Sequence, residues 1–85
     1  MINRDDEDHL VLASSQARVL YSFNIGDYYG LHTAWMEAGR AHSGIILGLQ
    51  QRLSVGEELR CMMRLISGIP AEEMRGRIEF LTAWR

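Results

Sequence analysis

The sequence predicts an α/β protein in which a small parallel sheet is flanked by about four helices. Two short apolar runs, 18–23 and 44–47, alternate with stretches whose apolar residues recur at helical spacing. The run at 18–23 carries β-favouring residues on both faces, as a strand covered on each side requires. A strand–helix–strand order of this kind joins parallel strands through a right-handed crossover. No linker, repeat or low-complexity tract interrupts the pattern, so residues 1–85 are expected to form a single domain.

Each element has its own signal. Over 6–17, Leu10, Ala13 and Ala17 recur at helical spacing behind Asp6, Glu7 and Asp8, where carboxylates complement the positive end of a helix dipole. Asn24, Gly26 and Asp27 supply turn chemistry and an N-cap for a helix over 27–38, in which Tyr28, Leu31 and Trp35 form one stripe and Gly39 stands at the C′ position. After the second strand, Ser54 and Glu57 fit a capping box that opens a helix over 54–67. Val55, Leu59, Met62 and Ile66 are expected on its inner face, with Gly68 as its stop. Pro70 suits the first turn of a fourth helix over 70–83, with Met74, Ile78 and Leu81 as its apolar stripe.

Composition narrows the class. Nearly half of the 85 residues are apolar and about a quarter are charged, as in a globular protein rather than a disordered tail. A chain this short hides only about 60% of its unfolded surface, so its stability is expected to be marginal. The formal charge is −2, which alone does not suggest a general nucleic-acid binder, and every basic residue is arginine. Arg40, Arg52, Arg60 and Arg64 would make a bidentate phosphate patch if they lay together, the alternative being solvated helix faces. The lone Cys61 excludes an internal disulfide and reads as a buried thiol in a reducing cytoplasm. The acidic start and the absence of a long apolar run predict a cytoplasmic chain with no membrane span.

Ligands in open parallel sheets bind beyond the carboxyl ends of the strands. Asp27 follows the first strand and Gln50, Gln51 and Arg52 follow the second, so all four should border one crevice. Competing structural roles are N-capping for Asp27, a first-turn dipole contact for Asp6 and turn hydrogen bonding for Asn24. His32 and His42 lack any zinc-motif spacing and are expected to be structural or on the surface. Tyr28, Tyr29 and Trp35 could stack on bases, but the stripe of Tyr28, Leu31 and Trp35 favours core packing.

The run Asp6-Glu7-Asp8-His9-Leu10, followed by Arg18–Tyr28 with its Asn24-Ile25-Gly26-Asp27-Tyr28 turn, resembles the acidic helix start, strand and Asn-x-Gly-Asp-aromatic turn of small bacterial PIN-like proteins. Leu31-His32, Trp35, Gly39-Arg40, His42, Gly44–Leu47, Gln50-Gln51-Arg52, Gly56-Glu57 and Leu59-Arg60 extend the resemblance over almost the whole chain. It covers the C-terminal two-thirds of such a domain, without the family's first strand and its acidic pair, and so implies a truncated PIN-like fold. The implied activity is metal-dependent ribonuclease action of the toxin–antitoxin kind. It carries Asp6 and Asp27 over as ligands of magnesium or manganese, and Glu7 as a third catalytic acid. Ser22, Asn24, Gln50, Gln51 and Arg52 are then the candidates for contacting RNA. The family's first strand lies beside the one at 18–23, so an exposed strand edge is expected. That edge predicts a homodimer or a small antitoxin-like protein partner, and it also allows a non-catalytic interaction module.

Overall fold

The computed structural model describes residues 4–48 and 53–85. Helix α1 runs Arg4–Ser15, with Asp5, Asp6 and Glu7 in its first turn. It stops two residues short of the expected end. Ala17 takes φ 54°, the Arg18 N–H donates to the Ala13 carbonyl at 2.9 Å and the Ala17 N–H to Ser14 at 3.2 Å. That is a Schellman ending with alanine where glycine is usual.

Strand β1 (Leu20–Ser22) leads into helix α2 (Ile25–Glu37). Its N-cap is Asn24, so the expected cap at Asp27 is replaced by a first-turn position for that residue. At the other end Gly39 adopts φ 72°, and the Arg40 N–H closes onto the Trp35 carbonyl at 2.8 Å. The Arg40 guanidinium lies 3.8 Å from the Trp35 ring centroid, a cation–π contact that covers the helix end.

Strand β2 (Ile45–Leu47) is buried along its length. Helix α3 (Val55–Gly68) opens on the expected capping box, with the Glu57 N–H donating to Ser54 Oγ at 3.2 Å and the Ser54 N–H donating to Glu57 Oε1 at 3.2 Å.

Two expectations are overturned beyond this point. No fourth helix spans 70–83: a 3-10 turn (Ala71–Met74), strand β3 (Ile78–Phe80) and a second 3-10 turn (Leu81–Trp84) occupy that stretch. Gly76 takes φ 73° and donates its N–H to the His42 carbonyl at 2.7 Å, which ends helical propagation and turns Ile78–Phe80 onto the open side of β2. The inner face of α3 is also rotated from the expected one. Cys61 and Leu65 are buried, Met62 is half-buried, and Val55, Leu59 and Ile66 are exposed.

All three strands are parallel in the order β1-β2-β3, with Leu20 opposite Ile45 and Ile45 opposite Ile78. The strand alternation sorts β2 between two layers. Ile45 and Leu47 pack with Leu10 of α1 and with Tyr28, Leu31 and Trp35 of α2. Ile46 packs on the other face with Cys61, Leu65, Ile69, Met74 and Leu81. The loop into β2 needs its glycine, because Gly44 sits at φ 123° and a Cβ there would come within 2.9 Å of the Met74 carbonyl oxygen. Among the described residues no helix is long and apolar enough to cross a membrane.

His42, fully buried, ties this loop to α2. The Gly44 N–H donates to its Nδ1 at 3.0 Å, so the ring hydrogen sits on Nε2 and points to His32 Nδ1 at 2.8 Å. Neither ring takes a second proton without losing one of these bonds. Burial, and then the neighbouring His32, push His42 down to about 4, and burial lowers His32 as well.

Two outcomes follow for stability. Ala17→Gly should stabilise the chain by about 0.5–1 kcal/mol, read as a higher urea midpoint with unchanged slope, because glycine carries no left-handed penalty. Both histidines are depressed in the fold below their unfolded value of 6.5. Their contribution is therefore present above that pH and lost as pH falls towards 4, about 1–2 kcal/mol by pH 5. A His42→Asn variant, whose Oδ1 can still accept from Gly44, should show a shallower decline in urea midpoint between pH 7 and pH 5.

Candidate functional site

The carboxyl end of β1 and the first turns of α1 and α2 meet on one side of the sheet. α1 sets Asp6 one turn before Leu10, so the residue that anchors the helix in the core also draws the Asp6 side chain inward. Asp6 is only 8% exposed, and its Oδ2 is buried without a hydrogen-bond partner. α2 brings Asp27, half-buried in its first turn, and the buried Tyr28 against the same carboxyl.

Burial raises Asp6 above the usual carboxylate range, and the Asp27 carboxyl raises it further through hydrogen bonding and like charge. Tyr28 and the more distant charge of His9 act in the opposite direction. Tyr28 itself is pushed up to about 12, first by burial and then by Asp6, so its hydroxyl stays protonated at neutral pH. Two acids thus face each other beside a hydroxyl donor. An arrangement that raises the free energy of its own charged state is characteristic of binding and catalytic sites.

The other candidates divide. Glu7 lies in the same first turn, partly buried, but is not among the side chains that act on the Asp6 carboxyl. Ser22 Oγ accepts the Asn24 N–H at 3.0 Å, so this hydroxyl shapes the turn that aims Asp27. Asn24 is exposed beside it and makes no side-chain cap bond to α2. Gln50, Gln51 and Arg52 lie outside the described residues. The arginines do not form one patch: Arg40 covers Trp35 on the α2 side, whereas Arg60 and Arg64 belong to α3 on the opposite layer.

Asp6 and Asp27 present hard oxygen donors, one of them a buried oxygen without a proton donor, and this suits a hard divalent cation. Among the described residues no group of three or more His, Cys, Asp and Glu side chains is placed to share a metal ion. The pair is therefore a two-carboxylate site, and His32 and His42 are occupied with each other. Tyr28 is the member for which the sequence favoured core packing over base stacking and gave no role beside the carboxylates. Its position directly after Asp27 was the available signal, since a residue can bury its ring and still present its hydroxyl.

No family model, curated protein or solved structure matches the chain. The class that fold and site define is a three-stranded parallel α/β protein with a carboxylate pair beyond the end of its first strand.

Because the charges of Asp6 and Asp27 repel one another, Asp6→Asn should raise the melting temperature by a few degrees without added metal. Millimolar manganese should stabilise the parent chain in the same thermal-shift measurement and leave the variant unmoved.

Proposed function

We propose that this chain is a metal-dependent ribonuclease of the PIN-like, toxin–antitoxin kind, with magnesium or manganese held by Asp6 and Asp27. The observation that carries the reading is the convergence of those two acids from separate helices, with one buried oxygen left unpartnered. The cation would supply the Lewis acidity that activates water and offsets charge building on a phosphodiester. Asp6 and Asp27 hold it, and Glu7, in the same first turn of α1, is proposed as the third acid at the margin of the site. Tyr28 donates its hydroxyl to the pair and keeps Asp6 oriented. Ser22 and Asn24 shape the rim on which RNA lies, and Gln50, Gln51 and Arg52, which follow β2, are proposed to border it. Two carboxylates bind magnesium weakly without substrate phosphate, so RNA and metal are expected to bind together.

A second reading has its own observation. Among the described residues β1 is an edge strand, and parallel pairing directs alternate residues to β2, with the Leu20 N–H bonded to Gly44 and the Ser22 carbonyl to Gly48. The main chain of Tyr21 therefore faces the open side. A non-catalytic module that associates through this edge, with a second copy or a small protein partner, accounts for it.

Calorimetric titration with manganese, using Asp27→Asn as control, separates the two readings. Binding by the parent chain, lost in the variant together with manganese-dependent cleavage of single-stranded RNA, is the expected result for a nuclease. Absence of binding in both proteins, or cleavage unchanged by Asp27→Asn, would overturn that assignment.

A further inference from the structure

The helical stripe that should have faced the core is the most exposed apolar feature of the molecule. Val55 is 74% exposed, Leu59 62%, Met63 69% and Ile66 63%. With the half-buried Met62, the spacing 55, 59, 62, 66 is the alternating four-three step of a helix–helix seam. This seam leans over the open edge of the sheet. Met62 and Ile66 line an apolar groove of about 300 Å3 with Val19 and Tyr21 of the first strand segment. Tyr21 also hydrogen-bonds Glu58 of α3, and its ring packs at 5.4 Å on that of Phe23.

From these observations we infer that the seam of α3 docks on the same seam of a second copy of this chain, with the two helices antiparallel. The inference rests on the reading of the β1 side as an association surface and names its partner. Three properties select a second copy. Taking roughly 200 Å2 for a full-size side chain, Tyr21, Phe23, Val55, Leu59, Met63 and Ile66 leave on the order of 700 Å2 in water. That is more apolar patch than a monomer usually shows, and close to the ~800 Å2 one partner buries in a standard interface.

The second property is orientation: an antiparallel copy of α3 opposes the two helix dipoles, whereas a parallel one would align them. Third, a twofold axis normal to the sheet beside β1 makes the contact isologous, so the patch is used once on each chain and the assembly closes.

Sedimentation of the full chain over micromolar concentrations tests this. A species of twice the 9.7 kDa chain mass is expected. Leu59→Glu and Ile66→Glu change exposed positions, so each should keep the parent circular dichroism while raising the dissociation constant at least about tenfold. A parent chain that stays monomeric, or a dimer indifferent to Leu59→Glu and Ile66→Glu, would overturn the inference. Amide exchange at Tyr21 judges the underlying reading separately. A dimer that is lost in Leu59→Glu but leaves Tyr21 unprotected would keep the helix seam and refute association through the strand edge.

Discussion

The structure depends on β2 being paired on both edges and covered on both faces. Ile45–Leu47 is only three residues long, yet it joins β1 to β3, and its alternating side chains divide the protein into two apolar layers. A parallel strand in this position exposes no main-chain polar group to an unpaired environment, and its apolar side chains leave water completely. Everything that approaches it must be shaped to do so. Gly44 admits the Met74 backbone, His42 bonds the loop to α2, and the Gly76 N–H returns to His42.

That arrangement also explains why the candidate site and the exposed seam lie along β1. The outer edge of β1 has no neighbouring strand among the described residues, while its carboxyl end delivers the chain into the turn that carries Asp27. The site is thus built where the sheet is least complete. α1 closes it from the side, and Leu10 fixes the helix so that the Asp6 side chain is held turned inward, 8% exposed. The uncompensated oxygen of Asp6 is tolerated because the surrounding core, rather than the site itself, holds α1 in place.

What could be read from the sequence follows the same division. The strand at 44–47 was legible because Ile45, Ile46 and Leu47 are all apolar, a run that only double burial explains. Ser54 and Glu57 announced α3 because capping is local chemistry, and Asp6 and Asp27 were marked as candidates before their proximity was visible. β3 was not legible. Met74, Ile78 and Leu81 satisfy helical spacing as well as any true helix, and the competing attraction, an unfilled edge of β2, lies more than thirty residues away in the chain. Tertiary pairing outweighed local periodicity there, as it commonly does for short β segments.

The rotation of α3 has a related cause. α2 and α3 cover opposite faces although the strand order advances in one direction, so the two crossovers have opposite hands and only one follows the usual right-handed rule. α3 consequently reaches back over β1 while the chain continues to β3 on the other side of β2. The C-terminal 3-10 turn, with buried Leu81 and with Trp84 against Gly68, occupies the space along one flank of the helix. Cys61 and Leu65 must face that packed side, which leaves the stronger stripe of Val55, Leu59 and Ile66 turned towards the open edge. A single helix therefore carries two apolar faces, one spent on the core and one left over. In a chain of this size a helix that buried both would need a larger sheet beneath it, so the exposed seam and the open strand are two aspects of the same incompleteness.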